Sequence, residues 1–391
     1  DGAVDMASTL VVASTINTAG ITGPKANFVG SMLISNDAGT GTLNAASNNT
    51  GFGNEVFDDL TSGDNNTGVG AQALSKLTTG GANTAVGQGA LDANTTADYN
   101  TAVGQNALGA NTTGGSNTAV GLGALQDNTT GLESVALGTS ALANQTTDQG
   151  NVALGFEALT THTTSDGGFN VAIGWKALDA STDGHSNIGI GKNALGTLTT
   201  ADNNTAVGTN ALGANTSGTA NVAVGSAALD ANTTGGYNVG IGDRALGANT
   251  TAGGNVGIGA DSMFANTTGA SNVALGADSL KANTTGNNNT AVGKSALTAN
   301  TTADSNTAVG FNVLGANTTG TGNTAVGHNT LDANTTTHNN TAFGYNALTV
   351  ATAADNTSVG SEALAANTTG TRNTAVGYLA MEDNTTGTNN T

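Results

Sequence analysis

Residues 100–116 read NTAVGQNALGANTTGGS, and residues 117–133 rewrite the same pattern as NTAVGLGALQDNTTGLE. With the Asn of N-T-A-V-G taken as position 1, twenty such units and a stub cover residues 49–391. Every step is 17 residues, except 19 from Asn151 to Asn170 and 16 from Asn340 to Asn356. A period this regular predicts a repeat architecture in which each unit packs on its neighbours.

The composition excludes several classes of function. The chain carries 27 acidic and 8 basic side chains, a formal charge of −19, which disfavours nucleic acids and anionic membranes as partners. It has no cysteine, so disulfides and thiolate metal sites are absent. No apolar run reaches the ~20 residues of a membrane helix, and the start does not resemble a signal peptide. Hydrophobic residues make up 37% and recur at fixed positions, which favours order over disorder.

The unit reads as extended chain with two corners. Position 2 is Thr, Val or Ile, position 4 is Val, Ile, Leu or Phe, and position 3 is always small, which is typical of a β-strand. Glycine at position 5 and Asn-Thr-Thr-Gly at positions 12–15 indicate corners. We therefore predict an all-β parallel β-solenoid, or β-roll, of about twenty 17-residue coils stacked ~4.8 Å apart.

The side-chain pattern also predicts which residues fill the coil. We expect positions 2, 4 and 9 to point inward, with one further inward side chain at position 11 or 12. Position 3 would then point outward and form a flat apolar strip, and such strips usually mark interfaces. The strip predicts a side-by-side homotrimer, unless alanine is merely tolerated there; end-to-end assembly is left open. The candidate trimer-interface residues are Ala102, Ala119, Ala206, Ala291 and Ala325.

The unit N-[TV]-A-[VI]-G-x-x-A-L resembles the head repeats of trimeric autotransporter adhesins, which are parallel β-rolls assembled as homotrimers. Its fuller form, N-T-A-V-G-x-x-A-L-x-x-N-T-T-G, is similar to repeats of phage tail-fibre proteins, many of which end in a self-cleaving chaperone. The resemblance covers residues 49–391. It implies a fibre segment, and the adhesin repeat is shorter, so its cross-section need not carry over.

Residues 1–48 lie outside the repeat and include the one proline, Pro24. Alternation in residues 8–18 predicts one or two strands, followed by a glycine-rich connection. Because the end of a solenoid needs protection, we interpret residues 1–48 as a β-rich cap or adaptor and residues 49–391 as the solenoid.

No residue pattern indicates catalysis, a cofactor or a metal site. The histidines lack metal-ligand spacing and are predicted to be solvated loop residues: His162, His185, His328 and His338. The longest unit breaks the pattern near residues 161–169, and aromatic faces stack on sugars and anchor interfaces. The candidate contacts to a receptor or glycan are Phe156, His162, Phe169 and Trp175, with Tyr345 and Tyr378 further along. The bland alternative is that a longer loop recruited its own packing cluster.

These observations predict an extracellular, non-enzymatic fibre segment. The first hypothesis is a phage tail fibre that holds or forms a surface binding a host glycan or receptor. The alternative is a bacterial cell-surface adhesin head or filament protein, in which the repeated N-T-T triplets could carry glycans. A polysaccharide-degrading solenoid enzyme would need paired carboxylates, and the repeats single out no such pair.

Overall fold

The computed structural model describes residues 20–22, 32–35, 45–163, 168–350 and 352–391. These residues contain no helix and are all-β, with twenty parallel strands that form a β-solenoid of about 19 turns. The predicted solenoid is therefore confirmed. The described part divides into two compact units, one ending at Asn151 and including Thr163, the other comprising Val152–His162 and the residues from Gly168 onward.

The strands of the first unit are β1 (Gly20–Thr22), β2 (Met32–Ser35), β3 (Thr50–Phe52), β4 (Thr67–Val69), β5 (Thr84–Val86), β6 (Thr101–Val103), β7 (Thr118–Val120) and β8 (Val135–Leu137). Those of the second are β9 (Val152–Leu154), β10 (Val171–Ile173), β11 (Ile188–Ile190), β12 (Thr205–Val207), β13 (Val222–Val224), β14 (Val239–Ile241), β15 (Val256–Ile258), β16 (Val273–Leu275), β17 (Thr290–Val292), β18 (Thr307–Phe311), β19 (Thr324–His328), β20 (Thr341–Tyr345), β21 (Thr357–Val359) and β22 (Thr374–Val376).

Within each compact unit, each coil from β3 onward pairs with the next so that equivalent positions lie opposite one another. Between β12 and β13, Ala206 faces Ala223. The N–H of Thr205 donates to Asn221 in the following coil, whereas the N–H of Gly208 donates to Ile190 in the preceding one. An inner coil of a compact unit is thus bonded on both sides, and the 17-residue period is the register of the ladder.

At the N-terminal end, β2 pairs in parallel with β3, and β1 pairs antiparallel to β2. Backbone pairing therefore covers the edge of the first coil, where an unpaired strand would expose its hydrogen-bonding groups. The strands predicted within residues 8–18 lie outside the described residues. The boundary between a cap at 1–48 and a solenoid at 49–391 stays a prediction.

The prediction that positions 2 and 4 fill the interior is wrong, and the strand faces are reversed. In β12, Ala206 is buried, while Thr205 and Val207 are partly exposed. The reason is steric: position 9 did point inward as expected, and its leucine fills the narrow coil. A Cβ added to Gly189, at position 3, would lie 3.3 Å from the Leu178 side chain. The strand can therefore contribute only a small group: a hydrogen atom, a methyl group or, at Ser358, a hydroxymethyl group whose hydroxyl donates to the Ala363 carbonyl.

A column of buried asparagines, each from position 1 of a repeat, runs through each of the two compact units. Asn221 shows the pattern: its Oδ1 accepts the backbone N–H of Asn238 at 2.9 Å, and its Nδ2 donates to the carbonyl of Gly235 in its own coil at 2.9 Å. Its own N–H donates to Oδ1 of Asn204 at 3.0 Å. The column satisfies buried polar groups at the corner before each strand, so asparagine there is structural.

Position 12 forms a second interior column. Asn232 donates to Oδ1 of Asn215 at 3.0 Å and to the same Gly235 carbonyl at 2.9 Å. Leu198 occupies this position in another coil and is equally buried. The expected exchange of the inward side chain between positions 11 and 12 is therefore wrong, because position 12 points inward whether it holds asparagine or leucine.

The corner after each strand depends on backbone that only glycine adopts easily. Gly208 has a φ of 137°, and a Cβ there would lie 2.4 Å from the Gly225 carbonyl oxygen. Positions 7 and 9 also have positive φ, with values of 55° at Asn210 and 52° at Leu212. Non-glycine residues rarely adopt this conformation, so the closely stacked coils constrain the backbone at every corner.

Candidate functional site

The residues predicted for the trimer interface lie inside the coils. They are fully buried within a single chain: Ala102, Ala119, Ala206, Ala291 and Ala325. The identification of these residues as interface contacts is wrong, because position 3 faces the interior leucine. The apolar strip is formed instead by positions 2 and 4, and the outward side chains at these positions are called the outer strand face below.

The outer strand face is uncharged along the whole repeat. Position 4 is always Val, Ile, Leu or Phe, and position 2 is always Thr, Val or Ile. Several position-4 side chains remain more than a third exposed, such as Ile241 at 36%, Ile258 at 38% and Phe343 at 39%. The face is therefore a repeated uncharged surface of β-branched residues, leucine and phenylalanine, with one row per coil.

The predicted aromatic patch does not form one cluster. His162 occupies the buried column at position 12, so its prediction as a solvated residue or a surface contact is wrong. Phe169 is 58% exposed before β10, whereas Trp175 is 44% exposed after it. Phe156 lies in the coil preceding Trp175, and its carbonyl accepts the N–H of Lys176. Residues 164–167 of the inserted segment lie outside the described residues.

The Trp175 ring contacts cations. The Nζ atoms of Lys176 and Lys192 each lie 5.3 Å from its centroid. Lys176 also pairs with Glu157 at 3.0 Å and with Asp179 at 3.6 Å. These ion pairs raise the pKa of Lys176, with the Glu157 hydrogen bond as the largest cause. Lys176 thus links the Trp175 ring to the carboxylates of Glu157 and Asp179.

A groove begins at Asp179 and extends over four successive coils of the second unit, with a volume of about 480 Å³. It is called the Asp179–Asp230 groove here. Its floor includes Gly196 and Gly213, which stand at position 10 between the two aspartates. The remaining lining residues are Asn193, Thr197, Asn210, Ala214 and Ala231.

The two aspartates close opposite ends of this groove. Burial raises the pKa of Asp179, partly offset by Lys176, and burial also raises the pKa of Asp230. Three coil steps of ~4.8 Å separate them by roughly 14 Å. Glycosidase carboxylate pairs lie about 5–9.5 Å apart, so the spacing of Asp179 and Asp230 falls outside the range of glycosidase pairs.

A second surface feature is a stack of rings at position 6. Phe311 and His328 lie 5.1 Å apart between centroids, and His328 and Tyr345 lie 5.4 Å apart. The strands lengthen here to five residues, which pairs the ring-bearing positions directly. Tyr378 also stands at position 6, two coils beyond Tyr345, and is 75% exposed. The sequence patterns singled out the two tyrosines but not Phe311, and the prediction of His328 as a loop residue is wrong, because His328 lies in strand β19. All four rings share one repeat position.

No protein-family model and no curated protein matches the chain. Within the described residues, no group of three or more His, Asp or Glu side chains is arranged to hold a metal ion. The same residues include no helix that meets the length and apolarity needed to cross a membrane.

Proposed function

We propose that the chain is a non-enzymatic, extracellular fibre segment, a phage tail fibre that assembles side by side as a homotrimer and holds or forms a host-attachment surface. The observation that carries this proposal is the outer strand face. An uncharged apolar strip repeated in every coil has no purpose in an isolated chain, and such surfaces mark interaction sites.

The length of the solenoid supports self-association. Fully burying a Val or Ile side chain contributes roughly 1.5–3 kcal/mol, so covering the exposed third of Ile241 or Ile258 contributes roughly 0.5–1 kcal/mol. Association costs about 4–15 kcal/mol in lost freedom. A few coils fall short of this cost, whereas the fourteen strands β9–β22 supply roughly 7–14 kcal/mol. Repetition therefore makes a weak face sufficient.

The wide separation of the groove carboxylates supports a binding role over an enzymatic one. The flat, repeated face also favours a fibre over a globular binding domain, because every coil offers the same contact. A bacterial adhesin head would use the same face, and the two origins differ in how the fibre is anchored.

The test is the mass of the protein in solution, measured by light scattering after gel filtration. We expect three times the chain mass of 37.6 kDa. Replacing Ile241 and Ile258 with Lys on the outer strand face should give monomers with unchanged circular dichroism. The control replaces Thr209 and Ser226 with Lys, because both are exposed at position 6, where Lys192 already occurs. A monomeric wild type, or a trimer that survives the face substitutions, would overturn the proposal.

A further inference from the structure

We propose that the Asp179–Asp230 groove is a binding site for a short neutral oligosaccharide. The proposal deepens the attachment function above and rests on it for its biological use, whereas the binding itself depends only on the groove. The aspartates at its ends, the amides along its wall and the floor of glycine and alanine make one continuous cleft with both polar and apolar lining.

The cleft results from the residues that occupy position 10 in four successive coils. Asp179, Gly196, Gly213 and Asp230 follow one another in adjacent coils. Nowhere else in the repeats do two successive coils carry glycine at this position: Gly109, Gly247 and Gly315 each stand alone, and the remaining coils carry larger residues such as Gln126. The missing side chains open the groove, and its ~14 Å length along the stack suits an extended ligand.

The polar groups that line the groove are those that bind hydroxyls. Asn193 donates from Nδ2 to Oδ1 of Asn210 at 3.4 Å, which leaves the Asn193 acceptor and the Asn210 donor for a ligand. Oδ1 of Asp230 lies 2.7 Å from where a Cβ on Gly213 would stand, so the carboxylate overhangs the glycine floor. A sugar hydroxyl both donates and accepts, and it can therefore satisfy carboxylates and amides in one row.

Charge narrows the ligand further. The carboxylates at both ends and the net charge of −19 disfavour anionic sugars. A linear polyamine would pair with the carboxylates and could donate to the amide oxygen of Asn193. A protonated amine cannot accept a hydrogen bond, so the amide donor of Asn210 would have no partner on it. Trp175 does not line the groove, and the Nζ atoms of Lys176 and Lys192 already lie over its ring, so the proposed sugar contacts are those of the groove alone.

The groove does not use the outer strand face. Its lining residues occupy positions 7, 10 and 11 of the coil, whereas the proposed lateral contacts occupy positions 2 and 4. Self-association through the strands therefore leaves the groove residues free to bind.

The experiment is calorimetric titration of the full chain with three neutral probes, maltotriose, cellotriose and mannotriose, and with spermidine. We expect at least one trisaccharide to bind, and Gly196→Gln to weaken it by about tenfold or more by filling the floor. Gly109→Gln is the matched control, because the surroundings of the two glycines are equivalent. A Cβ at Gly109 would lie 3.3 Å from the Asn106 carbonyl oxygen, and a Cβ at Gly196 would lie 3.3 Å from that of Asn193. The control should bind as wild type does.

The proposal is overturned if no trisaccharide binds, if spermidine alone binds, or if both glycine variants lose affinity equally. Asp230→Asn gives a second readout, since it removes the overhanging charge without filling the cleft and should also weaken the trisaccharide. The two proposals fail on different results. A monomeric wild type that binds a trisaccharide overturns the homotrimer proposal and supports the groove, whereas a trimer that binds no trisaccharide overturns the groove proposal alone.

Discussion

Replacing Asn221 with Ser and Asn232 with Gln would transplant a natural exception into a regular coil. Among the twenty units, the one at Ser134 alone lacks asparagine at position 1, and it carries Gln145 at position 12. There Gln145 donates from Nε2 to the Ser134 hydroxyl at 3.2 Å and to the Asp148 carbonyl at 3.0 Å. An asparagine at position 12, such as Asn232, already reaches the equivalent carbonyl, so the longer amide adds the bond to the Ser134 hydroxyl and an acceptor, Oε1, for Nδ2 of Asn151 at 3.0 Å.

The structure sets the size of each single effect. Asn221→Ser loses the 2.9 Å bond to Gly235, and the acceptor for the next N–H retreats towards the 3.4 Å seen at Ser134. Weakening a buried hydrogen-bond network costs about 1–3 kcal/mol. Asn232→Gln alone adds a methylene group to a filled interior, at about 1–3 kcal/mol. In the double variant the glutamine is placed to donate to the new serine hydroxyl and to accept from Nδ2 of Asn238, as Gln145 does with Ser134 and Asn151, so we expect about 1–2 kcal/mol to return as coupling energy.

A local readout is needed because coils of a repeat protein can unfold separately. Amide hydrogen exchange of peptides covering residues 204–255, followed by mass spectrometry, reports the opening free energy of these coils. The double variant should lose less opening free energy than the sum of the losses measured for the two single variants, so its amides should exchange more slowly than that sum predicts. If the two losses simply add, the Ser134–Gln145 compensation is not the mechanism that keeps that coil closed.

Three further predictions follow from single contacts. Gly208→Ala should destabilise its coil by about 3 kcal/mol or more, because its φ is 137° and the new Cβ would meet a carbonyl, whereas Gly196→Ala should cost less than about 1 kcal/mol in the same urea titration. Leu212→Ala should cost about 2–5 kcal/mol, since this side chain is fully buried; a loss below about 1 kcal/mol would contradict its interior role. Burial raises the pKa of Asp230 above its ordinary value of 3.8, so its ionised form costs stability as the pH rises through the raised pKa. Asp230→Asn should therefore raise the melting temperature at about pH 7 and leave it unchanged at about pH 3, where both states are protonated.

The period, the strand and the corners could be predicted from the sequence, but the face of the strand could not be assigned from alternation alone. Thr205, Ala206 and Val207 alternate equally well whichever face is inward. The coil is too narrow for two layers of large side chains, and Leu178 already fills the space opposite position 3. That limit depends on the coil cross-section, which hydrophobic alternation does not encode.

The candidate site followed the same division. The repeat position of Trp175 predicts a corner residue, and its ring is partly exposed there. The lack of metal-ligand spacing predicts His162 as a loop residue, although position 12 holds buried side chains in neighbouring coils. The groove exists because Gly196 and Gly213 have no side chains. Glycine carries no functional group, so patterns of catalytic or ligand-binding residues do not include it. The signal of the groove becomes visible only when equivalent positions are aligned down the stack.

The central claim is that each 17-residue unit is one coil, with equivalent residues stacked in register. Disulfide trapping tests it directly, since the chain contains no cysteine. Thr205 and Val222 are ladder partners in adjacent parallel strands, so the pair Thr205→Cys and Val222→Cys should oxidise to an intramolecular disulfide within one chain. The pair Thr205→Cys and Ala223→Cys should stay reduced, because Ala223 points into the coil. Equal cross-linking of both pairs, or cross-linking of the second alone, would contradict the account.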